Sequence, residues 1–184
     1  MKKRGKHDKE LKIKNRNKIN FLSILLRYSI LLILGIFLSV FYTLLLPLTL
    51  WPVYFLLNLF YDVSLTGNIL LISGAEIEII GACVAGSAYY LLLILNLTTS
   101  MKPKQRFHSI LFSFSSLLVL NILRILFLSI LYLENFSFFD FTHKLFWYFI
   151  SIIFVVGIWF LTVRIFKIKN IPIYSDIKNL TKII

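Results

Sequence analysis

YSILLILGIFLSVFYTLLLPLTLWPVYFLLNLFY, residues 28 to 61, holds 34 consecutive residues without a charge. As one helix this stretch would be about 50 Å long, against a bilayer hydrocarbon core of about 30 Å. It must therefore bend or leave the apolar layer. Pro47 and Pro52 bracket the expected break, since each removes a backbone donor and disfavours helix in the residue before it. The reading is a first span over about 27–46, with Trp51 and Tyr54 marking an outer interfacial segment that reaches Tyr61.

The residues on either side repeat the theme. Asp62 to Ile80 contains Gly67 and Gly74, and Ile72 to Ile80 alternates with a period of two that suits a short strand or hairpin outside the membrane. A second span is expected over Gly81 to Leu97, inside the 23 uncharged residues from Ile79 to Met101. The tight basic turn Lys102 to Arg106 closes it. A third span runs from Phe107 to Leu133 with one charge, Arg124, and a fourth from Leu145 to Val163. The fold class is thus an all-α integral membrane protein: a bundle of about four transmembrane helices with an outer interfacial segment and a short outer strand-like loop. Residues 1–20 read as a basic cytoplasmic tail, 21–165 as one transmembrane domain and 166–184 as a second cytoplasmic tail.

Composition agrees. A 59% hydrophobic content and a mean hydropathy of +0.85 exclude an ordinary water-soluble surface. The apolar run after the N-terminal basic stretch far exceeds a signal-peptide core, so the first span is expected to be retained. The net charge of +12 does not point to nucleic acid, because nine of the twenty Lys/Arg lie in the first eighteen residues, outside any base-reading motif. Orientation explains them better. With both termini cytoplasmic, eighteen of the twenty fall on the cytoplasmic side, while Asp62, Glu76, Glu78, Glu134 and Asp140 fall outside. The expected location is the cell membrane, multi-pass.

Three polar residues then share the outer side. Arg124 lies within a span, where an unpaired guanidinium costs several kcal/mol, so it marks either a functional site or an ion pair with Glu76, Glu78 or Glu134. Asn121, three residues earlier on the same face, is placed to orient the arginine or a substrate carbonyl. Cys83 opens the second span after Gly81, where free amides and the positive dipole end favour a thiolate, the reactive species. A lone cysteine is also commonly plain packing. Gly86 permits close helix approach, and His143 before the fourth span is a candidate general base for Cys83. No ligand spacing supports a metal, and no cofactor is expected.

Gly81-Ala-Cys-Val-Ala-Gly86, then Asn121-Ile-Leu-Arg124-Ile125 and then His143 resemble the exosortase/archaeosortase family, most closely its short archaeal, pacearchaeosortase-like members. The resemblance covers about Leu70 to Val163. It implies a membrane-embedded cysteine protease and transpeptidase with a Cys-Arg-His catalytic set at the outer face: Cys83 as nucleophile, Arg124 stabilising the thiolate or oxyanion, and His143 as acid and base. Asn121 and Gly86 would orient substrate. Implied substrates are secreted proteins ending in a sorting motif, a transmembrane helix and a basic cluster, transferred to a lipid or other amine acceptor. Many members carry Ser-Gly directly after the cysteine, where this chain has Val84-Ala85. The alternative from a different class is a non-enzymatic membrane module, a transporter subunit or structural partner, with Arg124 in a structural ion pair.

Overall fold

The computed structural model describes residues 22–170 and Pro172. The 1–20 tail and most of the 166–184 tail lie outside the described residues. The rest is mostly helical. Helix α1 (Leu22–Ile36) and α2 (Leu38–Leu57) meet at a 72° bend, measured between Leu22–Ile36 and Phe41–Leu57. Three short strands follow, β1 (Val63–Thr66), β2 (Ile69–Ile72) and β3 (Ala75–Glu78). A 3-10 turn (Gly81–Val84) leads into α3 (Gly86–Thr98), then α4 (Pro103–Leu133), α5 (Phe139–Leu145), a π-helical turn (Phe146–Ile150) and α6 (Ser151–Ile165). By length and composition, Gly81–Thr98, Pro103–Leu133 and Phe139–Ile165 can each cross a membrane, and the bent pair makes a fourth if it is one span.

The break in the first apolar stretch falls at Phe37 instead of Pro47 and Pro52. Helix α2 runs through both prolines. Each removes only one amide, and in a tightly packed apolar helix neighbours can absorb that loss. Phe37 leaves the helical region (φ −101°, ψ 41°) just beyond Gly35, a weak helix former. There Tyr90 donates its hydroxyl to Leu31 O at 2.8 Å, and a Cβ on Gly35 would fall 2.5 Å from the Tyr90 hydroxyl oxygen. Close contact with α3 thus fixes the bend. The expected interfacial segment is therefore the second half of α2, which buries Leu50, Val53 and Leu57.

The strand-like loop is larger than the alternation of residues 72–80 suggested. It is an antiparallel meander in the order β1-β2-β3, with Val63 opposite Ile72 and Ile69 opposite Glu78. Ser73 and Gly74, both at positive φ, form the two-residue turn that joins β2 to β3. Leu70 and Ile72 are completely buried against Leu57, Val53 and Ile125, which anchors the sheet to the ends of α2 and α4. A second apolar core of Tyr89, Leu92, Leu117, Val155 and Ile158 joins α3, α4 and α6.

Helix α4 is the axis of the bundle. Its buried residues Ser109, Ser113, Leu117, Asn121, Ile125 and Ser129 recur every four positions. A four-residue step advances about 40° around a helix of 3.6 residues per turn, so the stripe winds across successive neighbours. Ser113 meets Thr162 of α6 at 3.1 Å, Asn121 meets the 3-10 turn, and Ile125 meets α2 and the sheet. The end opposite the sheet is basic and tied by backbone carbonyls. Arg27 Nη1 donates to Leu97 O at 2.7 Å, Arg106 Nη2 to Thr99 O at 3.0 Å and Gln105 Nε2 to Phe166 O at 2.6 Å.

Candidate active site

The turn carrying Cys83 is held by α4. Cys83 N–H donates to Ile80 O at 2.9 Å, closing the 3-10 turn, and Ala85 then adopts a left-handed conformation (φ 59°, ψ 34°) before α3 starts. Such a conformation costs a non-glycine residue about 1–2 kcal/mol, so the surroundings must impose it. They do so through the Cys83 carbonyl. Asn121 Nδ2 and Arg124 Nη2, one turn apart on α4, each donate to this oxygen at 2.9 Å and occupy both its lone pairs.

Arg124 also reaches α6. Its Nη1 donates to Ser151 Oγ at 3.0 Å, and Ser151 Oγ donates to Phe146 O at 2.8 Å, a five-residue step across the π-helical turn. Wide turns of this kind concentrate at functional sites because they re-aim the side chains on them. Arg124 Nε is buried with no partner among the described residues. Two of the five guanidinium donors are thus engaged and the group is not fully satisfied.

A cavity of about 440 Å³ lies between β3, the Cys83 turn, the C-terminal half of α4 and the helix Phe139–Ile165. Cys83, Arg124 and His143 all line it, with Glu76, Glu78 and Ser151. The His143 ring stacks on Phe139 (centroids 5.7 Å apart, planes 7°) and meets Trp147 edge-on at 5.9 Å. This aromatic clamp fixes the imidazole plane.

Several sequence expectations are corrected in detail. Cys83 does not sit in the first turn of an α-helix, because Ala85 interrupts the chain between the 3-10 turn and α3. His143 lies within the last helix and not before it, because that helix begins at Phe139, after Asn135 at φ 50° lets Phe136 N–H close back on Leu131 O. Asn121 is 2% exposed and lies outside the cavity lining, so it anchors the Cys83 turn and is not aimed at a substrate. Gly86 is also absent from the lining. A Cβ there would stand 2.7 Å from Tyr42 Cε1, so the glycine serves the close approach of α2. The hydrogen bonds of Arg124 go to Cys83 and Ser151, and none goes to a carboxylate among the described residues.

Sequence reasoning missed Ser151 and the π-helical turn. The available signal was that Ser151 is the one serine in the uncharged run from Leu145 to Val163. It also missed a fully bonded polar knot towards the basic end. There Ser109 donates to Asn96 Oδ1, Asn96 Nδ2 donates to Leu92 O at 2.8 Å, and Thr162 Oγ1 donates to Ile158 O at 2.7 Å. Comparison with family models, with curated proteins and with solved structures finds no match.

Proposed function

We propose that this chain is a membrane-embedded cysteine transpeptidase of the exosortase/archaeosortase type. Its basic end would lie in the cytoplasm and its sheet end outside. One observation carries the reading: a single cavity is lined by the only cysteine of the sequence, the only arginine among the described residues within a long apolar helix away from the basic end, and a clamped histidine. The excess of Lys/Arg on the end opposite the sheet supports the orientation. The four-span reading takes α1 and α2 as one broken span.

The chemistry follows from the side chains. The Cys83 thiolate attacks the carbonyl carbon of a substrate peptide bond beyond the membrane surface, and its proton resides on His143. The carbonyl oxygen takes up negative charge, which the remaining Arg124 donors stabilise. As the tetrahedral species collapses, the C–N bond breaks and His143 gives its proton to the leaving amine, which departs with the C-terminal helix of the substrate. The product is a thioester on Cys83. An acceptor amine, on a lipid or another molecule, attacks the thioester, returns a proton to His143 and releases the thiolate. An apolar cavity favours this transfer over hydrolysis because it limits water.

The test is co-expression with a secreted substrate bearing a C-terminal motif, helix and basic cluster. Cys83→Ala is expected to remain folded in the membrane and to abolish removal of that helix. Unimpaired processing by Cys83→Ala would falsify the reading.

A second reading is favoured by one specific observation. The Arg124 guanidinium bridges the Cys83 carbonyl and Ser151, as a purely structural clamp in a non-enzymatic module would. That reading expects an inert thiol and no processing by the unaltered chain.

A further inference from the structure

The cavity is bordered by five consecutive residues of one extended segment, Glu76 to Ile80. Side chains of a strand alternate between faces, so a run of five without a gap means that the strand presents its backbone edge to the cavity. β3 is the last strand of the meander and has no second strand partner among the described residues. Its hydrogen-bonding phase follows from the pairing. Ile79 N–H donates to Asn68 O at 2.9 Å, and the two-residue turn makes Ile72 and Ala75 a bonded pair. Ala75, Ile77 and Ile79 therefore turn their amides and carbonyls towards β2. Glu76 and Glu78 turn theirs outward, to the cavity.

The segment continues without a break into the Cys83 turn, since Ile80 O is the acceptor for Cys83 N–H. The Glu76 and Glu78 side chains, on one exposed face, add negative charge beside that edge, and Glu78 Oε1 also accepts from Asn68 Nδ2 at 3.1 Å. Arg124 lines the same cavity.

We propose that the β3 edge is the substrate-binding rail. An extended peptide carrying a basic residue pairs as a fourth strand with the outward backbone groups of Glu76 and Glu78, and this pairing delivers its carbonyl carbon to Cys83. Backbone pairing supplies affinity independent of sequence, and the two glutamates select the cation. The inference rests on the transpeptidase reading for its product and on the strand edge alone for its binding mode.

The experiment uses tetrapeptide chloromethyl ketones of alanine and valine with one lysine, reacted with the full-length chain in detergent, with Cys83 alkylation read by intact-protein mass spectrometry. Two further probe sets carry N-methyl groups on the odd or on the even amides. One set is expected to react about tenfold more slowly than the parent, because two lost hydrogen bonds at about 0.7 kcal/mol each give that factor, while the other set reacts at nearly the parent rate. Exchanging lysine for glutamate is expected to slow the parent several-fold. Equal rates for both methylated sets, or no alkylation by any peptide probe, overturn the rail. Equal rates for the lysine and glutamate probes overturn the cation preference. If the alternation is seen but no substrate is ever processed, the transpeptidase reading fails and the peptide site stands. If processing depends on Cys83 but no alternation is seen, the rail alone fails.

Discussion

The two ends of the bundle both bury polar side chains, but they finish the task differently. Towards the basic end, Asn96, Ser109, Ser113 and Thr162 satisfy one another and nearby backbone carbonyls. Towards the sheet end, Arg124, Asn121 and Ser151 converge on the Cys83 turn, yet Arg124 Nε stays unpaired and a 440 Å³ cavity opens next to them. A closed network specifies how helices pack. An incomplete one beside a cavity holds capacity for a ligand.

Substitutions at the two ends should therefore separate stability from chemistry. The largest effect is expected for Arg124→Ala, which removes the clamp on the Cys83 carbonyl and, on the proposed mechanism, the oxyanion partner. Substrate processing should fall by about a hundredfold or more per folded molecule. Arg124→Lys should restore little, because an ammonium is a point charge and cannot span Cys83 O and Ser151 Oγ. Processing assays normalised to folded protein read both.

At the other end, Asn96→Leu should behave in the opposite way. It strips partners from Ser109 and Ser113 and should cost about 1–3 kcal/mol of stability. Thermal unfolding in detergent would show a midpoint lower by several degrees, with processing per folded molecule unchanged. A large loss of processing at full stability would erase the contrast between the ends.

Ser151→Ala is expected to lie between these. Loss of the Arg124 and Phe146 bonds should cost about 1 kcal/mol and slow processing several-fold, read by the same two assays. The smallest effect is expected at Ala85. Glycine accepts the left-handed conformation without strain, so Ala85→Gly should raise stability by about 1 kcal/mol or leave it unchanged. A clear loss of stability there would mean that the turn is held differently.

Much of this was legible in residue order. The uncharged runs locate the long helices, and the isolated charge of Arg124 and the lone thiol of Cys83 pick out residues that share the cavity. What was hidden depends on contacts between distant segments. The bend at Phe37 arises from Tyr90 packing on Gly35, 55 residues away, whereas Pro47 and Pro52 are local breakers that packing overrides. The close approach at Gly86 was legible, but which groups Asn121 and Gly86 meet was hidden for the same reason. Their partners, the Cys83 carbonyl and the Tyr42 ring, cannot be inferred from helix periodicity. The sheet extended beyond its visible alternation because β2 is apolar throughout, with buried Leu70 and Ile72 alternating with half-buried Ile69 and Leu71, which hides the pattern of two in the sequence.

The most direct measurement is the mass of the full-length chain after incubation with a peptide substrate in the absence of any amine acceptor. The account predicts an adduct equal to the acyl portion of the substrate, mapped to Cys83 and released by hydroxylamine, as a thioester requires. Steady cleavage of the substrate with an unmodified Cys83 at every time point, undiminished in Cys83→Ala, would contradict it.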